Sequence, residues 1–484
     1  MSTSKTIAKN FLYTTFYKVL RIILPLITVP YITRVLGAEK LGIYDYTYSV
    51  VIYFQMIAFL GFENYGSRLI AENCKDKEEL NKVFSAAYYF QIVFSMFAIA
   101  AYVLYLTIFC KENVIVSWVQ MLYIVAELFN ISWLYFGMEK FQITSAVNIV
   151  SRLVSFLGIF IFVKSKDDLI LYSVFCAGSL LISSLILWIG AFKYIKFVYA
   201  TVKEIWGYGK GALVLFFPVL VINIYRTMDK IMLGNMVGMA EVAIYSNADK
   251  IVEVPYMILA SLGVVTLPKM TNLAVEGEME KTRYYIKKSM RFIMFMACGM
   301  AFGMMAVGKV FAQVFFGKEF LASGILIMVI APHVVFRGSA NVVRNQYLLP
   351  QKRDKDYIAS ILIGVVINLV FNFILIPLWG AIGAAWATLF AESFVALYQI
   401  FVCRKEIPVV GYTLSNAFFL VAGLIMFVPV YLYGSTHLAN IPTLLIQIVM
   451  GVIIYLIVGG GFMYVKEKEL INSFIGNRKK GCKI

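Results

Sequence analysis

Apolar segments long enough to cross a membrane recur along the whole chain, and they restrict its possible folds most strongly. A spanning helix needs about 20 mostly apolar residues, and a scan at that length predicts about 14 segments in this chain. They are residues 11–33, 42–62, 83–109, 114–137, 142–163, 169–190, 210–234, 242–266, 288–308, 321–347, 357–377, 380–402, 411–433 and 442–465. Hydrophobic residues make up 61% of the composition, against roughly 45–50% in soluble domains. We therefore expect an all-α polytopic membrane protein.

The ends of these segments bring two further expectations. Segments 83–109 and 321–347 are unusually long, so their helices should tilt or extend beyond the lipid. The N-terminal residues lead directly into the first segment and lack the small-residue motif of a cleaved signal peptide.

Basic residues predict the orientation of the spans. Lysine and arginine dominate both tails and the loops on one side, whereas the other loops contain only Arg34, Lys40, Lys111, Lys164, Lys166, Lys309 and Lys318. Cytoplasmic segments are enriched in these residues, so we expect both termini in the cytoplasm, an even number of spans and a location in the plasma membrane. The net charge of +16 then reflects topology and contact with anionic lipids, and no nucleic-acid partner is expected.

A weak internal repeat predicts the domain organisation. LGAEKLGIYDY (36–46) aligns without gaps with VGMAEVAIYSN (237–247). The same register pairs Gly37 with Gly238, Tyr44 with Tyr245 and Arg68 with Lys269. We expect two six-helix lobes, 1–200 and 201–405, related by a pseudo-two-fold axis along the membrane normal with a cleft between them. Residues 406–484 would form a terminal helix pair and a basic tail.

Charged and polar residues inside the predicted spans share helical faces. A charge at the bilayer centre costs at least ~2.5–3.5 kcal/mol on insertion scales, so these groups need water or a partner. Side chains three, four or seven residues apart lie on one face. The stripes are Lys18, Arg21, Pro25 and Thr28; Gln120 and Glu127; Asn148 and Arg152; Asn223, Arg226 and Lys230 with Asp229; Asp249 and Glu253 with Lys250; His333, Arg337, Asn341 and Arg344; Asn368 and Asn372; Thr388 and Glu392.

We interpret these stripes as the lining of a water-filled, cationic cleft, although other roles stay open for some members. Lys18, Lys230 and Arg291 could snorkel to the interface. Arg226 with Asp229, and Asp249 with Lys250 and Glu253, could be structural ion pairs. Paired asparagines more often join helices than bind ligands. By contrast, Arg21, Arg152, Arg226 and Arg337 lie too near mid-span to snorkel.

A cationic cleft predicts an anionic substrate. Guanidinium groups bind phosphate through two parallel hydrogen bonds, so the cleft would suit a pyrophosphate. The candidate substrate-binding residues are Lys18, Arg21, Asp45, Arg68, Glu127, Arg152, Arg226, Asp229, Lys230, Asp249, Lys250, Lys269, Arg337 and Arg344, with Arg68 and Lys269 at the cytoplasmic mouth. No catalytic residue, metal site or cofactor is predicted, because the six cysteines are scattered and the two histidines lie far apart.

Two stretches carry a resemblance to a known family. Residues 25–62, PLITVPYITRVLGAEKLGIYDYTYSVVIYFQMIAFLGF, and residues 225–270, with MDK followed by YSNADK, resemble the Wzx-type polysaccharide flippases. These belong to the superfamily of the MATE drug exporters and the lipid II flippases, and the resemblance covers nearly the whole chain. It implies a secondary transporter for surface polysaccharide biosynthesis that moves an undecaprenyl-pyrophosphate-linked oligosaccharide to the outer leaflet by alternating access.

The resemblance also bears on partners and on the terminal helices. Membrane lipids are expected partners, a polysaccharide polymerase is a candidate partner, and the chain is expected to act as a monomer. Segments 411–433 and 442–465 contain no Lys, Arg, Asp or Glu and therefore have no cleft to line. An open hydrophobic groove beside them would fit the polyprenyl chain.

Two other functions compete with this interpretation. A MATE-type antiporter exports mostly organic cations, so its cavity should favour acids, whereas the stripes contain more basic than acidic residues. A membrane-bound glycan polymerase or glycosyltransferase usually has a sizeable outer loop with catalytic residues. The longest outer loop here, near 309–320, contains one acid, Glu319, so no enzyme activity is expected.

Overall fold

The computed structural model describes residues 2–466, except for the side chains of residues 2–19, 21, 22, 215, 217–219 and 222. Two candidate site residues, Lys18 and Arg21, thus lie outside the described side chains. The helices are α1 (Ser2–Phe59), α2 (Phe62–Asn73), α3 (Lys77–Ile108), α4 (Val114–Leu128), α5 (Ser132–Gly137), α6 (Phe141–Phe162), α7 (Leu169–Ala191), α8 (Val202–Met236), α9 (Met239–Val275), α10 (Met279–Phe315), α11 (Leu321–Ile330), α12 (His333–Val343), α13 (Asp354–Trp379), α14 (Ala381–Cys403), α15 (Val409–Ser415), α16 (Phe418–Thr436), α17 (Ile441–Tyr455) and α18 (Gly461–Lys466).

The helices confirm the predicted all-α membrane fold. Within residues 2–466, ten helical stretches are long and apolar enough to cross a membrane. The pair Lys318–Ile330 and His333–Leu348, bent by 44°, would form one more span. The figure of 14 spans stays a prediction. Segment 321–347 is a bent pair rather than one long tilted helix, because Pro332 precedes α12 and has no backbone N–H to continue the helix.

Two glycines with positive φ mark equivalent places in the predicted repeat. Gly37 has a φ of 74° and kinks α1, so that the first two predicted spans follow one another without a loop. Gly238 has a φ of 149° and separates α8 from α9. Glycine reaches these conformations without the steric penalty that a Cβ atom brings. The pair therefore agrees with the alignment of spans one and two on spans seven and eight.

The chain divides into two compact units, Met1–Ala243 and Ile244–Ile484, called here the N-terminal and the C-terminal unit. The N-terminal unit includes α8, which packs against α1, α2 and α3. The sequence repeat would instead assign this helix to the second lobe, and the predicted lobes at 1–200 and 201–405 stay a proposal.

Side-chain caps fix where several helices begin. Asp76 accepts hydrogen bonds from the backbone N–H groups of Glu78 and Glu79 at the start of α3. Thr201 and Glu204 form a reciprocal capping box at the start of α8. The Thr201 hydroxyl and backbone N–H donate to the Glu204 carboxylate, and these bonds lower the pKa of Glu204. Such caps satisfy the first N–H groups of each helix.

Candidate functional site

Three helices of the C-terminal unit meet at a buried arginine. The guanidinium of Arg337 on α12 donates from Nη1 to Glu253 Oε2 on α9 at 2.6 Å, and its Nε lies 3.2 Å from Glu392 Oε1 on α14. The side chains of Arg337, Glu253 and Glu392 are only 14%, 19% and 10% exposed. The guanidinium carbon lies 3.6 Å from the ring centre of Tyr256. We call these four residues the Arg337 cluster.

A histidine one turn away completes the surroundings of this arginine. His333 Nε2 lies 3.4 Å from Arg337 Nη1, and His333 is 1% exposed. Arginine can only donate hydrogen bonds, so Nε2 acts as the acceptor in this contact. Sequence reasoning placed Arg337 and His333 on one helical face but did not pair the arginine with two carboxylates. In this geometry the donors of Arg337 are largely taken up by protein, and its predicted role as a phosphate ligand stays untested.

The N-terminal unit contains a cavity whose lining includes one arginine and several tyrosines, unlike the Arg337 cluster with its two carboxylates. It measures about 300 Å³, lies among α1, α4, α6 and α7, and is lined by Arg152 together with Tyr44, Tyr48, Tyr123 and Tyr172. This volume is at the lower end of the range typical of ligand sites, roughly 300–1,000 Å³. Hydroxyls of Tyr44 and Tyr123 form a 2.6 Å hydrogen bond at the wall. The cavity thus combines a guanidinium with phenol groups, which can bind an anion or a sugar.

Glu127 lies near this unit's α4–α5 break, and its side-chain hydrogen-bond partners are neutral amides. Its Oε2 accepts a 2.8 Å hydrogen bond from Asn130 Nδ2, and its Oε1 lies 3.4 Å from Gln55 Nε2. Sequence reasoning paired Glu127 only with Gln120 on the same helix. It missed Gln55 and Asn130, because an uncharged side chain in a loop or on a distant helix leaves no periodic signal.

The charged stripe of α8 is split between exposed and buried positions. Arg226 is exposed and Lys230 is partly buried, whereas Asp229 is 4% exposed. Helix α8 is tied to α1 by a hydrogen bond from Thr227 to the Tyr53 hydroxyl at 2.6 Å. The exposed guanidinium of Arg226 is accessible to a ligand in a way that the guanidinium of Arg337 is not.

The remaining candidates differ in exposure. Asp45 is buried, Asp249 and Arg344 are partly buried, and Lys250 is exposed. Arg68 and Lys269 are exposed; Arg68 pairs with Glu72 at 2.9 Å, and this contact raises the pKa of Arg68. Lys269 lies 2.5 Å from the Tyr285 hydroxyl. Arg291 is 9% exposed, and its Nε donates to Asn416 Oδ1 at 3.3 Å.

The predicted hydrophobic groove beside the terminal helices is present. A cavity of about 390 Å³ lies among α10, α16 and α17. Gly303 of α10, Gly451 of α17, Met426 and Tyr455 are part of its lining, and Gly303 leaves open space there. The lining is apolar apart from Gln447 and the Tyr455 hydroxyl, which suits a hydrocarbon chain.

Comparison with known proteins now decides the family. The family described as "Polysaccharide biosynthesis protein" matches residues 7–274, more than half of the chain. The chain belongs to this family. Together with the relatives described next, this match confirms the predicted resemblance to the Wzx-type polysaccharide flippases. In the described residues no group of three His, Cys, Asp or Glu side chains could hold a metal ion.

Individual relatives agree with this assignment. The "Putative O-antigen transporter" of Shigella dysenteriae is 24% identical over 385 residues, covering 78% of this chain and 94% of its own. The lipid II flippase MurJ in an inward closed conformation has a TM-score of 0.73 at 19% identity, covering 95% of this chain and 100% of its own. An inward-facing MATE multidrug transporter has a TM-score of 0.60 at 13% identity, covering 82% and 100%. These structures share the fold; the relatives are transporters rather than enzymes, as predicted.

Proposed function

We propose that this protein flips an undecaprenyl-pyrophosphate-linked oligosaccharide repeat unit across the plasma membrane by alternating access, for surface polysaccharide biosynthesis. The observation that carries the proposal is the apolar groove of about 390 Å³ among α10, α16 and α17. A polyprenyl chain is its proposed occupant, because the two terminal helices that flank it contain no charged residue within 411–433 and 442–465. A substrate with a long hydrocarbon tail needs such a path beside the transporter.

The head group of this substrate would meet cationic and aromatic side chains. Arg226 is exposed on α8, and Arg152 lines the tyrosine-rich cavity of the N-terminal unit. Guanidinium groups fit the paired oxygens of a pyrophosphate, and tyrosine rings and hydroxyls suit sugars. The proposal includes cytoplasmic termini, a monomer as the working unit, and a polysaccharide polymerase that uses the flipped product.

A drug antiporter is the second candidate, since the fold is shared with a MATE transporter. An organic cation would need a carboxylate in its cavity, yet among the described residues that line the N-terminal cavity there is a guanidinium and no Asp or Glu. The lining of this cavity supports an anionic substrate. In the C-terminal unit, by contrast, two carboxylates, Glu253 and Glu392, face the single guanidinium of Arg337, so this cluster adds no such support.

The direct test is lipid flipping in reconstituted liposomes. A fluorescent polyprenyl-pyrophosphate sugar is placed in both leaflets, and the fraction reached by an added membrane-impermeant quencher is followed with time. We expect flipping with the purified protein and none in protein-free liposomes. Transport of a cationic dye such as ethidium without flipping of the lipid would instead identify a drug antiporter.

A glycine substitution tests the groove itself. Gly303→Leu should fill the groove, because a Cβ atom there meets only the Met426 methyl group at 3.9 Å, so the protein should fold. We expect flipping to fall at least tenfold. Gly178→Leu on α7 is the matched control, since no atom lies within 4 Å of its Cβ position. Equal rates for the two variants would contradict a role for the groove.

A further inference from the structure

The break between α4 and α5 holds a carboxyl group among uncharged partners. Glu127 is the second-last residue of α4, and its hydrogen-bond partners are the amides of Asn130 and Gln55. No lysine or arginine in the described part of the chain pairs with it. In this respect it differs from Glu253 and Glu392, each of which contacts Arg337.

The surroundings of Glu127 are built by side chains that bind the end of α4. The four carbonyl oxygens of residues 127–130 accept hydrogen bonds from Gln91, Tyr88 and Trp188 at 2.7–3.2 Å. Trp133 donates to Gln91 Oε1 at 2.9 Å and so fixes the orientation of that amide. Carbonyls at a helix end are otherwise left without partners, and here they are satisfied. The end of α4 that carries Glu127 is therefore held in position by α3 and α7.

The two oxygens of Glu127 are not equivalent. Asn130 Oδ1 accepts from the backbone N–H of Ser132 at 3.1 Å, so its Nδ2 must face Glu127 Oε2. Oε1 has only the 3.4 Å contact with Gln55, whose Nε2 also lies 3.4 Å from the Tyr123 carbonyl. Both of these contacts are at the long limit for a hydrogen bond. Oε1 is thus the atom that can gain a proton, after which the Gln55 amide can turn to accept from it.

The groups around Glu127 allow its carboxyl group to be either protonated or ionised. The C-terminal end of a helix carries partial negative charge, and the charged neighbour from another element is Glu63 on α2, also an acid. The partners from α1, α3 and α7 are uncharged: Gln55, Tyr88, Gln91 and Trp188. The negative groups disfavour the ionised form of Glu127, whereas the two amide donors favour it.

We propose that Glu127 is a proton-binding site of the N-terminal unit. A proton from water adds to Oε1 and converts the carboxylate to a neutral carboxylic acid, while Oε2 keeps its bond to Asn130. A metal cation fits less well, because Asn130 and Gln55 present N–H groups rather than oxygens to the carboxylate, and such cations need several oxygen ligands. This assignment does not depend on which lipid is flipped.

Infrared difference spectroscopy on the full-length protein in lipid nanodiscs tests the site. As the pH falls, each carboxylate that gains a proton gives a C=O stretching band, whose frequency depends on the hydrogen bonds of that carboxylic acid. We expect the difference spectrum of the wild-type protein to contain a band that is lost in Glu127→Gln. Glu112→Gln is the matched control, because Glu112 is exposed in the loop before α4, and this variant should keep the band. Asn130→Ala should shift the band without removing it.

Two results would overturn the proposal. One is an identical set of spectra for the wild-type protein and a folded Glu127→Gln variant, with folding checked by tryptophan fluorescence. If Glu127→Gln does not fold, Glu127→Asp keeps a carboxyl group on a shorter chain, and an unchanged band in that variant would equally exclude Glu127 as its source. Since the spectra involve no transport, a failure here is distinct from a failure of lipid flipping.

Discussion

In the C-terminal unit the guanidinium of Arg337 is held between two carboxylates, whereas in the N-terminal unit Arg152 lines a cavity of tyrosines. The acids differ in the same way, because Glu253 and Glu392 have a cationic partner and Glu127 has two amides. Ion pairs between α9, α12 and α14 join these three helices, whereas the N-terminal cavity has a guanidinium and phenol groups in its lining. We therefore propose that substrate binding involves the N-terminal cavity and that the Arg337 cluster fixes helices.

Each unit contains a hydrogen bond from a side chain of a later helix to the backbone near a positive-φ glycine. Gln120 on α4 donates to the Tyr44 carbonyl at 3.1 Å, and Ser323 on α11 donates to the Ile244 carbonyl at 2.8 Å. In each case a side chain of a later helix binds the backbone soon after a positive-φ glycine, Gly37 or Gly238. These contacts agree with the predicted repeat in kind, although the offset of 201 residues does not align Gln120 with Ser323.

The largest expected effect comes from breaking the Arg337 cluster. Arg337→Leu leaves two carboxylates buried without a cation, and removing one partner of a buried ion pair destabilises a protein by about 3–5 kcal/mol. We expect a lower melting temperature in detergent, followed by tryptophan fluorescence, and a loss of folded protein in the membrane. Normal stability of this variant would remove the distinction between the two units.

A triple variant separates the effect of charge from the effect of packing. Combining Arg337→Leu with Glu253→Gln and Glu392→Gln removes the two acids together with the arginine. Replacing a complete buried ion cluster by neutral groups is often tolerated, so we expect this triple variant to melt at a higher temperature than Arg337→Leu alone. If it melts lower, the residues contribute through packing rather than through charge.

A smaller effect, on transport alone, is expected from the exposed arginine of α8. At matched amounts of folded protein, Arg226→Ala should lower flipping at least tenfold, since a hydrogen bond to a charged group contributes about 1.5–3 kcal/mol. Arg226→Lys keeps the charge but loses the two-pronged geometry, so it should rescue poorly. Full rescue by lysine would show that only the positive charge at this position matters. Normal flipping by Arg226→Ala would exclude a role of this residue in substrate binding.

Sequence reasoning captured periodic features and missed long-range or neutral partners. The spacing of His333 and Arg337 placed both on one face, and the structure brings them within 3.4 Å. The partner Glu253 lies 84 residues away on another helix, and helical periodicity contains no information on such pairs. The amides around Glu127 were missed because uncharged side chains in a loop or on another helix leave no periodic signal. The groove was predictable, since two helices without charged residues need an apolar neighbour.

The smallest effect should come from Arg68, whose side chain is 80% exposed and pairs with Glu72 one turn away on α2. Exposed ion pairs contribute little to stability, so Arg68→Ala should not change the melting temperature. If Arg68 attracts the pyrophosphate at the cytoplasmic mouth, this variant should flip the lipid a few-fold more slowly than the wild-type protein at low ionic strength. At high salt, where such attraction is screened, it should flip the lipid at the wild-type rate.

Arg68→Lys should behave as the wild-type protein at both salt concentrations, because attraction at a distance needs charge and not the guanidinium fork. A deficit that persists at high salt, or that lysine fails to correct, would instead make Arg68 a direct ligand like Arg226.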